Sequence, residues 1–400
     1  MYELGLVGKP NTGKTTFFNA VTLANAPVAG YPFTTIDANV GVTYVRGKCP
    51  CQEFKVSCNP QNSKCMEGVR YIPVRMIDVA GLVEGAHAGR GLGNRFLDNL
   101  RMASALIHII DAAGSTDGEG KPCSPGAHDP LKDIDFLEVE ITMWFRTLLA
   151  KDWPRFARRA KYEKLDLVRE IAERMSGLGV KETHVLEAFK YAAVDRTDPE
   201  KWGDDDLLRF AAELQKVSKP IMIAANKSDI PEAELNMGRI RERGYIVVPT
   251  CSEAEFVLRR AAEKGFLSYN PGDGKFTILK PESLNDQQKN ALDKIATVIK
   301  KWGSTGVQLV IDKAVYELLK LIVVYPVDDE MKLTDKKGNV LPDAFLVPQG
   351  TTAHEFAYVI HSDLGDSFLH AIDARTKRRL GEDHELKNGD VIRIVSTKGR

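Results

Sequence analysis

Eight residues near the start of the chain, GKPNTGKT from Gly8 to Thr15, have the spacing of a phosphate cradle. Glycine lets successive backbone N–H groups wrap an anion closely, and a helix that starts where the loop ends aims its N-terminus at the same charge. In such a loop Asn11, Thr12, Gly13, Lys14, Thr15 and Thr16 meet the nucleotide. Lys14 reaches the outer phosphates and the Thr15 hydroxyl binds Mg²⁺. A strand-to-helix turn with no ligand is the plain alternative for this element taken alone.

Three further stretches bear on that alternative. DVAG, Asp78 to Gly81, ends an apolar run; the Asp78 carboxylate can hold Mg²⁺ through water and the Gly81 amide can meet a γ-phosphate. NKSD, Asn226 to Asp229, follows the run IMIAA. Asp229 can accept from the N1–H and exocyclic amine of guanine, donors that adenine does not offer there, and a carboxylate without them discriminates strongly. Asn226 and Lys227 brace and cover the base. YPFTT, Tyr31 to Thr35, supplies a threonine that can ligate Mg²⁺ only while the γ-phosphate is present, which makes its loop a two-state switch. Each of these is ordinary by itself. The order phosphate loop, switch threonine, DxxG, NKxD predicts a GTP-binding domain.

The elements that must position these residues are legible as short β-branched runs: residues 2–7, RYIPVRMIDVA, ALIHIIDA, KPIMIAANK and YIVVPTC. Buried strands alternating with helical segments predict an α/β fold with a parallel sheet, whose ligands sit beyond the carboxyl ends of the strands. GKPNTGKT, DVAG and NKSD all lie at such ends. The predicted division is a G domain over 1–128 and 216–255, a cysteine-containing insertion over 46–70, a helical insertion over 129–215, a helical connector over 256–321 and a small α+β domain over 322–400. Lys plus Arg and Asp plus Glu each number 55, so the net charge of zero argues against a uniformly basic nucleic-acid coat. There is no apolar run of membrane-spanning length and no leader pattern, so the expectation is a cytoplasmic protein with no membrane partner.

DVAGLVEGAHAGRGLGNRFLDNLRMASALIHIIDA, with YPFTT and NTGKTT, resembles the Obg-type GTPases, in detail the archaeal–eukaryotic branch related to YchF and DRG proteins. DPLKDIDFLEVEI is similar to the segment where YchF proteins begin their helical insertion, and VPQGTTAHEFAYVIHSDLG with LKNGDVIRIV resembles a TGS domain, which is β-grasp-like. The resemblance implies a slow, Mg²⁺-dependent GTPase that switches on a ribosome or RNA partner through its TGS domain and helical insertion. YchF proteins typically lack an intact NKxD and can prefer ATP; the complete NKSD here favours GTP. The residue after DxxG is Leu82, where Ras-like proteins carry a water-positioning glutamine, so the resemblance implies a hydrophobic-substituted GTPase. His87 could touch the attacking water and Arg90 could face the γ-phosphate, or both are solvated loop residues. Asn11 stands where potassium-activated GTPases hold K⁺ beside the phosphates. Cys251 and Ser252 stand where the family's base-closing loop offers backbone contact to the guanine oxygen. Two rivals are a nucleotide-gated binding module with negligible hydrolysis, kept alive by Leu82, and a YchF-like ATPase.

Four cysteines, Cys49, Cys51, Cys58 and Cys65, lie within seventeen residues. Four thiolates could bind Zn²⁺ tetrahedrally, but CxC is not the usual CxxC pair, and disulfides or free thiols stay open. Two basic clusters, Arg155, Arg158, Arg159, Lys161 and Lys164, then Arg375, Lys377, Arg378 and Arg379, are either solvated faces or contacts to an RNA backbone.

Overall fold

The short β-branched runs form strands because each can bury both faces under helices. β1 (Glu3–Val7) and β5 (Ala105–Asp111) are buried along their whole length. The computed structural model describes residues 2–22, 40–79 and 100–397. Its described residues divide into one unit of 2–22, 40–41, 75–79 and 100–310 and another of 42–74 and 311–397.

In the first unit β1 lies between β5 and the carboxyl half of β4 (Val69–Asp78), and β6 (Ile221–Asn226) and β7 (Val247–Pro249) extend the sheet beyond β5. Each of these pairings is parallel. The register matters for function. Leu6 pairs with Asp78 and Asp111 pairs with Asn226, so the carboxyl ends of the strands finish at one edge. α1 (Lys14–Thr22) starts directly after the Gly-rich loop.

Between β5 and β6 comes the helical insertion, as the sequence predicts. α3 (Pro130–Ala150) is capped by Asp129, whose side chain accepts from the Leu131 N–H, with Pro130 in the first turn. Within the insertion, residues 153–174 form two helices, α4 (Trp153–Tyr162) and α5 (Leu167–Arg174). Lys164 at φ 52° breaks the backbone and Asp166 caps the second helix. α6 (Glu182–Tyr191) and α7 (Asp204–Ser218) complete the insertion. Its core is aromatic, with Trp153 stacked on Trp202 at 5.0 Å and Phe210 against Trp202. That core is continuous with Val7, Ile77 and Leu106 of the sheet, so the insertion is part of the same packed body as the nucleotide strands.

After β6, α8 (Ala233–Glu242) leads to β7. The connector then holds α9 (Ser252–Glu263), a short pair of strands, β8 (Leu267–Ser268) and β9 (Thr277–Ile278), and α10 (Asp286–Trp302). The two strands pair antiparallel on either side of NPGDGKF, Asn270 to Phe276.

The second unit combines two regions that sequence treats as separate. β2 (Val40–Lys48) neighbours β4, and β3 (Lys64–Met66) pairs antiparallel with β4's amino half. The β3–β4 hairpin turns at Glu67 and Gly68, both with positive φ (50° and 81°), the signature of a type I′ turn. The short α2 (Cys51–Phe54) follows β2. The C-terminal sheet runs β11 (Phe345–Pro348), β10 (Leu321–Pro326), β14 (Asp390–Ser396), β12 (Phe368–Asp373), β13 (Arg379–Leu380). β10 and β14 are parallel at its centre. α11 (Ala353–Ile360), started by a Thr352–Glu355 capping box, packs Phe356 on Val324, Ala371 and Ile392. This is the small α+β domain that sequence predicts.

Candidate functional site

The phosphate loop leaves β1 and turns into α1 through Gly13 at φ 94°. A side chain could not stand there, since a Cβ on Gly13 would lie 2.1 Å from Asn226 Nδ2. Thr12 is buried and its hydroxyl donates to the Lys9 carbonyl at 3.1 Å, so it holds the loop's shape. Lys14 pairs with Asp78 across the loop, both side chains largely shielded. The phosphate lysine and the DxxG aspartate thus share one locus, and Thr15 opens the first turn of α1 beside Lys14 with its side chain exposed.

The opposite side of the site is assembled around Asn226. Its Nδ2 donates to the Thr12 carbonyl at 2.7 Å. Its Oδ1 accepts from the Ser252 N–H at 3.0 Å and the Ser252 hydroxyl at 2.9 Å. One buried amide therefore ties the phosphate loop to the loop after β7. Asp229 is exposed, and the Cys251 thiol approaches its carboxylate at 3.5 Å. Burial, then the Asp229 charge, pushes that thiol up to about 12, so it stays protonated and can donate. Sequence assigns Cys251 and Ser252 a backbone contact to the guanine oxygen, and here their amides are otherwise engaged. The Cys251 N–H donates to the Thr305 carbonyl at 2.9 Å and the Ser252 N–H to Asn226. Both residues brace the pocket.

Lys227, at φ 60°, reaches past the base position to Asp111, at 2.9 Å, and to the Ser115 hydroxyl, at 3.1 Å. Asp111 is fully buried and also accepts from the Ser115 N–H and the Thr116 hydroxyl. Sequence reasoning passed over Asp111; the signal was a carboxylate closing an otherwise apolar strand. It also passed over Lys9, the variable second letter of GKPNTGKT. Lys9 is buried, pairs with Asp133 of α3 at 2.8 Å and donates to the Thr116 carbonyl at 3.0 Å. His128 meets the other Asp133 oxygen at 2.9 Å. The phosphate loop is thereby connected to the first helix of the insertion. Next to this network, burial first and Lys9 second hold the wholly buried His108 imidazole down at about 3.

The Asn11 amide nitrogen donates to the Gly120 carbonyl at 2.9 Å. Thr16 is half-buried in α1. Thr35, Gly81, Leu82, His87 and Arg90 lie outside the described residues.

Most cations of the two basic clusters that have partners here are spent on the protein itself. Arg158 and Lys161 pair with Glu200, Lys161 also with Asp198, and Arg159 with Glu170. Arg375 forms a bidentate pair with Glu53 at 2.8 and 3.0 Å and donates to the Gly389 carbonyl. Lys377 donates to the Glu330 carbonyl. The exposed remainder that can face a polyanion is Arg155, Lys164, Arg378 and Arg379.

The four clustered cysteines converge. Their sulfurs all lie within 4.8 Å of one another, with Cys49 to Cys58 at 3.9 Å and Cys51 to Cys65 at 3.8 Å. All are free thiols. Burial raises the Cys49 thiol, but the Cys51 N–H and the Arg70 guanidinium together bring it below the ordinary thiol value. Burial and the neighbouring sulfurs push Cys65 up to about 12.

Comparison with known proteins matches three families along the chain: residues 3–136 to the family described as 50S ribosome-binding GTPase, 224–329 to the G4 motif-containing domain of the Obg-like GTPase YGR210 type, and 333–396 to the TGS domain. A GTP-binding protein of Methanocaldococcus jannaschii is 50% identical over 398 residues, 99% of each chain. The ribosome-binding ATPase YchF of Bacillus subtilis is 28% identical, with 97% of each chain covered. Among solved structures, a GTP-binding protein from Pyrococcus horikoshii superposes with a TM-score of 0.80 at 46% identity, covering 99% of this chain and 100% of that one.

Proposed function

This chain belongs to the Obg-like GTP-binding proteins related to YchF and carries their C-terminal TGS domain, and from that premise we propose that it is a slow GTPase switch acting on the ribosome. The observation that carries the guanine reading is the Asn226 brace. It fixes the NKSD loop to the phosphate loop through Thr12 and to the β7 loop through Ser252, and leaves Asp229 exposed at the mouth, where a base edge can meet its carboxylate. Guanine presents two N–H donors to a carboxylate; adenine leaves it unpaired.

When nucleotide binds, Lys14 exchanges Asp78 for phosphate oxygens, and Asn11, Gly13 and Thr16 contribute the surrounding cradle. Thr15 and Asp78, with Thr35 from the switch loop, are the hard oxygen donors that Mg²⁺ takes. Bound there, Mg²⁺ supplies neutralisation of phosphate charge. Gly81 meets the γ-phosphate. With its amide nitrogen held by Gly120, the Asn11 side-chain oxygen is the end left to meet K⁺. Leu82 cannot orient water by hydrogen bonding, so intrinsic turnover is slow and His87, Arg90 or a partner supplies the rest. The ribosome is the partner class because YchF relatives of this chain are ribosome-binding ATPases by name.

The test is single-turnover cleavage of GTP by the full chain with Mg²⁺, in K⁺ or Na⁺, with and without ribosomes. The expected result is slow cleavage alone, faster in K⁺ and faster again with ribosomes. Cleavage at the background rate in all four conditions would leave a nucleotide-gated binding module and remove the GTPase.

A further inference from the structure

We propose that Cys49, Cys51, Cys58 and Cys65 hold one Zn²⁺ as a closed four-thiolate site, and that this site pins the segment 49–68 to the C-terminal domain. The first argument is distance. Zinc–sulfur bonds of about 2.3 Å in a tetrahedron place neighbouring sulfurs about 3.8 Å apart. The observed separations are 3.9 Å for Cys49–Cys58 and 3.8 Å for Cys51–Cys65, with every pair inside 4.8 Å. A disulfide would need about 2 Å. Four sulfurs with no oxygen or nitrogen ligand, gathered around one point, fit a borderline-soft tetrahedral ion and not a hard one.

The second argument is independent and concerns charge. Arg70 has no exposed surface. A buried guanidinium is costly without a counter-anion. Among the described residues no carboxylate forms an ion pair with it. What it meets is the Cys49 sulfur, to which Nη2 donates at 3.4 Å. With neutral thiols, the half-buried Asp343 carboxylate, which forms no ion pair with it, would be left as its counter-charge. Four thiolates around Zn²⁺ carry a net charge of −2, which Arg70 partly offsets. The backbone at the site is also arranged for sulfur: Cys51 presents its N–H to the Cys49 sulfur, and Pro50 between them sits at φ −62°, ψ −16°, which lets two cysteines one residue apart converge.

The same arginine links the site to the C-terminal domain. Its Nη2 also donates to the Leu341 carbonyl at 2.9 Å, Nη1 donates to Ser63, and the guanidinium lies over the Tyr325 ring at 5.4 Å. Around it the segment is stitched to residues 339–344. The Asn59 N–H donates to the Val340 carbonyl, the Gln61 N–H to the Pro342 carbonyl, and Asn62 exchanges two hydrogen bonds with Ala344. The Arg375–Glu53 pair closes the other end. A segment with so little apolar core of its own needs a crosslink to hold this register, and a metal supplies one. Arg70 is a positioning residue here.

The experiment is elemental analysis of the full chain purified without added metal or chelator, with thiol titration. The account expects about one zinc per chain, four shielded thiols, and their exposure in step with zinc release by an organomercurial. Cys58→Ser or Cys65→Ser should lose the zinc, and Cys123→Ser should keep it. Arg70→Lys should keep it but bind it about ten- to a hundredfold more weakly. Should the serine variants fail to fold, cobalt exchanged into the wild-type chain must give the intense visible bands of a tetrahedral thiolate site. Metal well below stoichiometry, iron in place of zinc, an octahedral cobalt spectrum, or a mass showing the thiols joined as disulfides would each overturn the assignment.

Discussion

The nucleotide site and the cysteine site are both built at the ends of strands, but they are held by different means. The nucleotide site is braced by hydrogen bonds from one buried amide, Asn226, to two loops, with Lys227 anchored on a buried carboxylate beneath. Its ligand positions stay open and charged, with Lys14 and Asp78 satisfying each other. The cysteine site gathers four sulfurs and a buried cation in a closed arrangement, and its neighbours are joined by backbone and amide contacts. The first is arranged to exchange partners, the second to keep them.

That contrast can be broken in several ways. Asn226→Ala removes four hydrogen bonds at once and takes away the partner that the Thr12 carbonyl and the Ser252 N–H have in its side chain. Each buried polar group so deprived costs about 1–3 kcal/mol. Urea titration should therefore show a loss of roughly 3 kcal/mol, with GTP binding lost along with the bracing. A fully stable variant that still binds GTP would show the brace to be incidental. Lys14→Ala is next. Loss of a charged hydrogen bond to phosphate is worth about 1.5–3 kcal/mol, so equilibrium GTP binding should weaken roughly ten- to a hundredfold.

On the other side, Arg70→Met removes the cation but keeps much of its volume. The expected loss is about 2 kcal/mol. Hydrogen exchange should speed up in 59–70 and 339–344, while the exchange of Asn226 and its neighbours stays as it was. The smallest effect at neutral pH belongs to His108. Its folded value of about 3 lies below the ordinary 6.5, so the neutral ring is the form that folding favours. Its contribution to stability is complete above pH 6.5 and is lost as pH falls from there toward 3, by up to about 1.4 kcal/mol per pH unit. His108→Leu should flatten that acid limb in a pH series of denaturant midpoints; an unchanged slope would assign the acid sensitivity to other groups.

The two sites were unequally legible in the sequence. GKPNTGKT, Asp78 and NKSD lie at the carboxyl ends of β1, β4 and β6, and a parallel sheet brings such ends to one edge whatever the intervening chain does. Their types and order therefore carried the site. What the letters did not carry was where donors were already spent. The amides of Cys251 and Ser252 are engaged by Thr305 and Asn226, which lie far along the chain or across the sheet. The fate of Lys9 and Arg375 likewise depended on Asp133 and Glu53, which are distant in sequence. For the cysteines the spacing was uninformative, because convergence depends on a type I′ hairpin at Glu67–Gly68 and on the corner at Pro50. Within the predicted helical insertion, apolar residues stand on both sides of Lys164, from Phe156 and Ala160 to Leu165 and Val168, but the backbone breaks there at φ 52°.

The central claim is that Asp229 reads guanine. The most direct measurement is equilibrium binding of GTP, ATP and xanthosine triphosphate to the full chain and to Asp229→Asn. Xanthine carries a carbonyl where guanine carries its amine, so an asparagine amide can donate to it. The account predicts that the wild-type chain prefers GTP over ATP by at least about a hundredfold, and that Asp229→Asn loses GTP and gains xanthosine triphosphate by a similar factor. Equal affinity of the wild-type chain for GTP and ATP, or GTP binding untouched by Asp229→Asn, would contradict it.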